Sequence, residues 1–160
     1  KGENYFPNGI KVINKGNTEI AAEYIQRAVG GDMLEIDTVK AYPEDYKMCC
    51  DAAKEELNTN ARPKIKEFPN SISQYDTIFV CYPNWWGTVP MCIFTFLDKY
   101  DLTGKKIVPL CTNEGSGMGT SERDLKKNYP NAVFADGLSV RGHQTEVSEE
   151  KIADWAKKSV

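Results

Sequence analysis

Two adjacent tryptophans, Trp85 and Trp86, stand between a proline–asparagine pair and Gly87. They come directly after residues 76–81, a continuous apolar run that is typical of a strand buried on both faces of a parallel sheet. Open α/β sheets bind ligands just beyond the carboxyl ends of their strands. Two indoles at such a place predict a flat aromatic ligand, since offset stacking adds about 0.5–1.5 kcal/mol to area burial. The alternative is that one tryptophan is a core residue and the other an interface residue.

Two further loops have compositions that suit ligand binding. Residues 16–19, Gly-Asn-Thr-Glu, lead into a predicted helix, whose first N–H groups can hold a phosphate without a lysine or arginine. An ordinary N-cap is the alternative there. Residues 112–119 contain three glycines within five residues, so that backbone groups can approach a ligand edge unobstructed. A simple glycine-rich turn is the alternative for this loop.

The joint occurrence of the three loops favours one ligand. They supply, in chain order, a phosphate site, an aromatic surface for a ring face and a backbone-rich surface for a ring edge. This is the shape of a mononucleotide with a flat ring, for which a flavin is the natural candidate. A dinucleotide is disfavoured because the G-x-G-x-x-G spacing and its acidic residue are absent.

Size and composition set the broad class. A chain of 160 residues predicts one domain, residues 1–160, and a net charge of −3 without a basic cluster argues against nucleic acid. No apolar run reaches transmembrane length, so no membrane association is expected. The five cysteines form no C-x-x-C pair, which disfavours a zinc site and a disulfide framework. A reducing compartment, and hence the cytoplasm, is the expected location.

Alternating strand and helix patterns predict a doubly wound α/β sheet. Apolar periodicity predicts helices over residues 18–28, 45–57, 90–100, 121–129 and from 148 onward, and strands over 33–36, 76–81, 106–112 and within 132–140. Pro109 counts against the third of these strands because proline cannot donate to a ladder.

The sheet also needs an apolar strand before the first helix. Residues 10–13 are a short candidate flanked by turn-forming residues. Either this run replaces the first strand, or the first strand is missing from the chain, and we favour the second account.

The chain resembles flavodoxin-like FMN-binding proteins. The resemblance lies in residues 2–5, 16–19, 82–87, 112–117 and 137–142, of which the double-tryptophan loop is the most specific. It implies a three-layer α/β/α fold with strand order 2-1-3-4-5 and FMN at the carboxyl edge. In such proteins the Gly-Glu-Asn-Tyr segment follows the first strand, and here it begins at residue 2, so that strand is expected to be missing. The cofactor-binding residues that the resemblance implies are Gly16, Asn17, Thr18, Pro83, Asn84, Trp85, Trp86, Gly87, Thr112, Asn113, Gly115, Ser116 and Gly117.

Three functions remain open at this point. The first is a carrier that transfers electrons through FMN between redox partner proteins or small-molecule acceptors. The second is an NAD(P)H-dependent FMN oxidoreductase of the quinone reductase type, and the third is a remnant that no longer binds FMN. A gap at the first strand also predicts association with another chain, for example as a homodimer.

Four other residues are weaker candidates. His143 is expected to be a solvated turn residue beyond the three loops, and Glu114 an exposed loop glutamate without a role in proton transfer. Cys111 is expected to be a buried strand thiol, and Arg141 to make a structural ion pair.

Overall fold

The computed structural model describes residues 2–160 and contains a parallel sheet built around one central strand. Strand β3 (Thr77–Pro83) pairs in parallel with β4 (Lys106–Asn113) along its whole length. On the other side of β4 lie two short parallel strands, β5 (Val133–Phe134) and β6 (Leu138–Arg141). β4 is buried from its second residue onward, as its apolar sequence predicts for a strand between two helical layers.

Five α-helices flank the sheet on both faces. On one face, α1 and α5 pack over Leu110 and Val140 through Ile25 and Ile152. The other face carries a larger core that includes Tyr82, Phe94, Ile107 and Leu125. The doubly wound α/β class is thereby confirmed. The helices are α1 (Asn17–Val29), α2 (Tyr46–Asn58), α3 (Met91–Leu97), α4 (Ser121–Asn128) and α5 (Glu149–Ser159), with a 3-10 helix at Gly142–Val147 before α5.

β4 tolerates Pro109 because the neighbouring strand is interrupted on the side to which a backbone N–H group of this residue would point. Ala135 N donates to Ile107 O, so odd-numbered residues of β4 direct their backbone groups toward β5 and β6. Opposite Pro109 the chain passes from β5 to β6 without pairing. A Cβ on Gly137 would lie 3.1 Å from Pro109 Cγ, so this interruption is filled by close packing against the proline ring.

The amino-terminal residues form a separate antiparallel hairpin of β1 (Gly2–Phe6) and β2 (Gly9–Ile13). The hypothesis that residues 10–13 replace the first strand of the parallel sheet is therefore wrong. Their partners are the hairpin residues, and Ile10 and Val12 remain exposed on its outer face. Within residues 2–160, no strand occupies the position between β3 and the segment after α1.

The strand predicted at residues 33–36 is also absent, and the same gap explains it. In the predicted order 2-1-3-4-5, which counts the strands of the parallel sheet and not β1 to β6, this segment would be the second strand. It would pair only with the first strand of that sheet, which residues 2–160 do not contain. Without that neighbour its backbone has no ladder to join, and Met33 and Leu34 stay exposed. Among the described residues, the only β-bridge close to this segment is the isolated antiparallel one between Thr38 and Ile65. Among residues 2–160 the parallel sheet consists of β3, β4, β5 and β6, and the order 2-1-3-4-5 as a whole stays a prediction.

The gap leaves one side of β3 open. Lys106 N donates to Asp76 O and Asn84 N to Thr112 O, so the even-numbered residues of this segment face β4. Thr77, Phe79 and Cys81 consequently direct their backbone groups to the unpaired side. No helix of residues 2–160 is long and apolar enough to cross a membrane.

Candidate functional site

The first loop ends in a helix start that no side chain of residues 2–160 caps. Gly16 is the N-cap residue in an extended conformation, and Ile20 N makes the first helical bond, to Gly16 O. The N–H groups of Asn17, Thr18 and Glu19 therefore have no helical acceptor. Thr18 does not serve as a cap, because its hydroxyl lies 2.7 Å from the hydroxyl of Thr112. This 13-residue helix thus presents free donors and a positive dipole end beside the third loop.

The second loop is a tight turn that follows β3. Trp85 and Thr88 exchange backbone bonds of 3.1 and 3.2 Å, and Trp86 and Gly87 have φ of 54° and 82°. Two successive positive φ values define a type I′ turn. Trp86 therefore adopts a backbone conformation that is costly for a bulky residue, a feature that is often found at ligand sites. The Asn84 side chain closes the turn by accepting from Gly87 N at 2.9 Å.

The two indoles contact different parts of the protein. Trp85 packs edge-on against Tyr42, with ring centroids 4.7 Å apart. Trp86 is 52% exposed, donates Nε1–H to Cys50 O at 2.8 Å, and has Lys54 Nζ 4.6 Å from its ring centre. Trp86 is accordingly held against α2, whereas Trp85 packs against Tyr42 in the segment before α2. Stacking of either ring on a ligand stays a prediction.

The third loop is shaped by Asn113. Its Oδ1 accepts from both Gly115 N and Gly117 N at 2.9 Å, and its Nδ2 donates to Ser139 Oγ at 2.8 Å. Gly115 and Gly117 have φ of 128° and 63°, and a Cβ on either would have no atom of residues 2–160 within 4 Å apart from its own chain neighbours. The loop therefore combines a fixed backbone with open space in front of it. Ser116 is exposed at its tip.

The structure brings the three loops together at the carboxyl end of β3 and β4. The hydroxyl pair of Thr18 and Thr112 joins the first loop to the third. Asn84 Nδ2 donates to Gly117 O at 3.0 Å, and Thr120 N donates to Gly87 O at 2.7 Å, which joins the second loop to the third. All thirteen predicted residues thus lie on the three connected loops or at the ends of the strands and helix that adjoin them, and their contacts with a ligand remain predictions.

A model of the flavodoxin family matches residues 11–159. The chain belongs to the flavodoxin family. Its sequence is 33% identical to a provisionally named flavoprotein of Bacteroides eggerthii over 92% of both chains, and the two structures superpose with a TM-score of 0.78. A provisionally named flavoprotein of Bacteroides uniformis is 30% identical over 88% of this chain and 90% of its own, with a TM-score of 0.77. None of the curated proteins matches the chain.

The fold extends to a more distant flavoprotein that binds FMN. The flavoprotein of Lactobacillus acidophilus, solved in complex with FMN, is 20% identical over 82% of this chain and 89% of its own, with a TM-score of 0.67. Membership of the flavodoxin family supports FMN as the cofactor. The three loops fit this group, because the uncapped start of α1 suits a phosphate and the open glycines of the third loop suit a ring edge.

The structure corrects the prediction for Glu114, whereas His143 is exposed as predicted but contacts the third loop. Glu114 Oε1 accepts from His143 N at 2.8 Å, and Glu114 Oε2 lies 2.6 Å from His143 Nδ1. The Glu114 side chain is only 12% exposed, so it is not a solvated loop glutamate, and His143 directly contacts the third loop. The available signal was topological, since each residue follows one of two strands that pair with each other.

A second polar contact that sequence reasoning missed ties the turn at Trp86 to α4. Asp124 Oδ2 accepts from the hydroxyls of Thr88 at 2.7 Å and Thr120 at 2.6 Å. Burial alone would raise the pKa of Asp124, but these hydrogen bonds and the neighbouring Arg123 guanidinium outweigh it and lower the pKa from its usual value. Cys111 is fully buried, and this burial raises the pKa of its thiol to about 12, as expected for a structural cysteine.

A cleft of about 730 Å³ adjoins the first loop. It lies between the β1–β2 hairpin and the 3-10 helix, and Phe6, Lys11, Lys15, Asn17 and His143 are among the residues that line it. No group of three or more metal-ligating side chains lies together anywhere in residues 2–160.

Proposed function

We propose that this flavodoxin binds FMN at the three loops and transfers electrons through it between redox partners. The observation that carries the proposal is the uncapped start of α1, which lies within hydrogen-bonding distance of the glycine-rich loop through Thr18 and Thr112. One end of FMN is an anion and the other is a flat ring. A helix N-terminus and a glycine-rich loop are complementary to these two ends.

The chain's own residues have distinct roles in this proposal. The N–H groups of Asn17, Thr18 and Glu19 hold the phosphate, and the backbone of residues 115–117 orients the ring edge. Trp85 or Trp86 lies against the ring face and excludes water from it. Bound FMN supplies the electron-accepting heterocycle, whereas the protein fixes its position and surroundings.

Titration of the protein with FMN tests cofactor binding, with flavin fluorescence as the readout. Thr18→Val removes the hydroxyl contact with Thr112, while Thr18→Ser retains a hydroxyl and is the matched control. A hydrogen bond contributes about 1 kcal/mol, so we expect the valine variant to bind FMN about fivefold more weakly. Failure of the unmodified protein to bind FMN at any concentration would contradict the proposal and favour a remnant.

A second candidate function is an NAD(P)H-dependent FMN oxidoreductase. The cleft beside the first loop supports it, because two lysines line a space large enough for part of a second nucleotide. Steady-state oxidation of NADH and NADPH with a quinone acceptor separates the two functions. A carrier is expected to show no such turnover, yet to be reoxidised rapidly by a one-electron acceptor after chemical reduction.

A further inference from the structure

One oxygen of the Asp124 carboxylate joins α4 to the turn at Trp86. Asp124 Oδ2 accepts from the Thr88 hydroxyl, at the end of the turn, and from the Thr120 hydroxyl, immediately before α4, at 2.7 and 2.6 Å. Thr120 also donates its backbone N–H to Gly87 O at 2.7 Å. The turn is therefore held at two successive residues by α4 and the residue that precedes this helix.

The Thr88 hydroxyl depends on this carboxylate. Thr88 is only 4% exposed, and within residues 2–160 its hydroxyl makes no other hydrogen bond. A buried donor without an acceptor is costly, because it has lost water without gaining a partner. If the Asp124 acceptor is removed, we therefore expect the turn to move until this hydroxyl reaches water or another acceptor.

The turn has other bonds, but these act within it. Trp85 and Thr88 exchange backbone bonds, and Asn84 Oδ1 accepts from Gly87 N. Such bonds close the turn, whereas the bond to Asp124 fixes the place of its last residue against α4. Trp86, with φ of 54°, has a backbone conformation that persists in a bulky residue only where the surroundings impose it.

We propose that Asp124 is a positioning residue that, through Thr88, holds the turn at Trp86 in the conformation that binds the FMN ring. The inference rests on the proposed binding of FMN at the three loops. The turn carries both indoles, one of which lies against the ring face in that proposal. Asp124 belongs to α4, outside the three loops, so its effect on the ligand passes through the turn.

Four variants test the proposal. Thr88→Val removes the hydroxyl and keeps the shape of the side chain, and Asp124→Ala removes the acceptor. Asp124→Asn keeps an oxygen that can accept from both hydroxyls and is the conservative control. Tyr129→Phe is the structural control, because Tyr129 at the carboxyl end of α4 donates its hydroxyl to Asp98 Oδ1 at 2.7 Å. Thr88→Val and Tyr129→Phe thus each lose one bond from a hydroxyl to a carboxylate.

The affinities for FMN and riboflavin are measured by flavin fluorescence, and urea unfolding gives the stability of each variant. A turn that is in the binding conformation for only a fraction of the time lowers the apparent affinity by that fraction. If this fraction falls to between about a tenth and a third, Thr88→Val and Asp124→Ala bind FMN about three- to tenfold more weakly. Riboflavin lacks the phosphate and should lose the same factor, because the turn acts on the ring.

The controls should behave differently. Asp124→Asn should match the unmodified protein at neutral pH. Tyr129→Phe should lose stability but keep its affinity for both flavins. The double variant Thr88→Val/Asp124→Ala should bind FMN about as weakly as Asp124→Ala, since two changes in one chain of contacts do not add.

Two results would overturn the inference while leaving the proposed function intact. One is unchanged FMN affinity in both Thr88→Val and Asp124→Ala. The other is a loss of affinity for FMN but not for riboflavin, which would place the effect at the phosphate instead of the ring. If the unmodified protein binds no FMN, both the proposed function and this inference are wrong.

Discussion

The contact between the turn at Trp86 and the glycine-rich loop depends on Gly119. A Cβ at this position would lie 2.7 Å from the Gly87 carbonyl carbon, and Gly119 has φ of +56°. Gly119→Ala should therefore force the two loops apart. The left-handed conformation costs a non-glycine residue about 1 kcal/mol, and loss of the bond from Thr120 N to Gly87 O costs about 1 kcal/mol more. We expect the free energy of unfolding to fall by about 2–3 kcal/mol.

Gly104→Ala is the matched control for this prediction. Gly104 has φ of +73°, but a Cβ there would have no atom of the described residues within 4 Å apart from its chain neighbours. This variant should lose only the conformational part, about 1 kcal/mol. Urea denaturation followed by tryptophan fluorescence gives the free energy of unfolding for both, and an FMN titration gives affinity. Only Gly119→Ala should weaken FMN binding. Equal stability losses in the two variants, with equal FMN affinity, would refute the direct packing of the two loops.

Three further predictions concern acid stability, thiol reactivity and association. Hydrogen bonds from Thr120 and Thr88, together with Arg123, lower the pKa of Asp124 in the folded state. The ionised carboxylate therefore stabilises the fold above the pKa of an unfolded aspartate, and this stabilisation is lost as the pH falls through the lowered pKa of the folded state. Asp124→Asn should thus show a smaller loss of stability than the unmodified protein between about pH 5 and pH 3 in urea titrations. Burial raises the pKa of the Cys92 thiol to about 11 and that of Cys111 to about 12, so both should resist a thiol reagent at pH 8 until urea is added. The open side of β3 should pair with another chain, and sedimentation that shows only monomers at high concentration would contradict this.

Local sequence patterns predicted the elements that carry the candidate site. β3, β4 and α1 follow from a buried apolar run, a second apolar run and helical spacing after Gly16. The glycines of the turn and of the third loop occupy positive-φ positions, which their residue type favours. These features depend on residues that are neighbours along the chain, and for this reason they could be predicted from the sequence.

The missed features depend on neighbours in space. Residues 33–36 have the composition of a strand, but a strand forms only where another strand offers its backbone groups, and none does among the described residues. Pro109 is compatible with β4 only because the strand beside it is interrupted. The partners Glu114 and His143 are 29 residues apart, and no local pattern links them.

The sequence by itself determined the α/β class, the flavodoxin resemblance and the three loops that could hold FMN. The tertiary structure decided which strands could form, which indole docks on α2 and where the charge of Glu114 points. The physical reason is that propensity and turn chemistry act within a few residues, whereas strand pairing and side-chain contacts require surfaces that only the folded chain brings together.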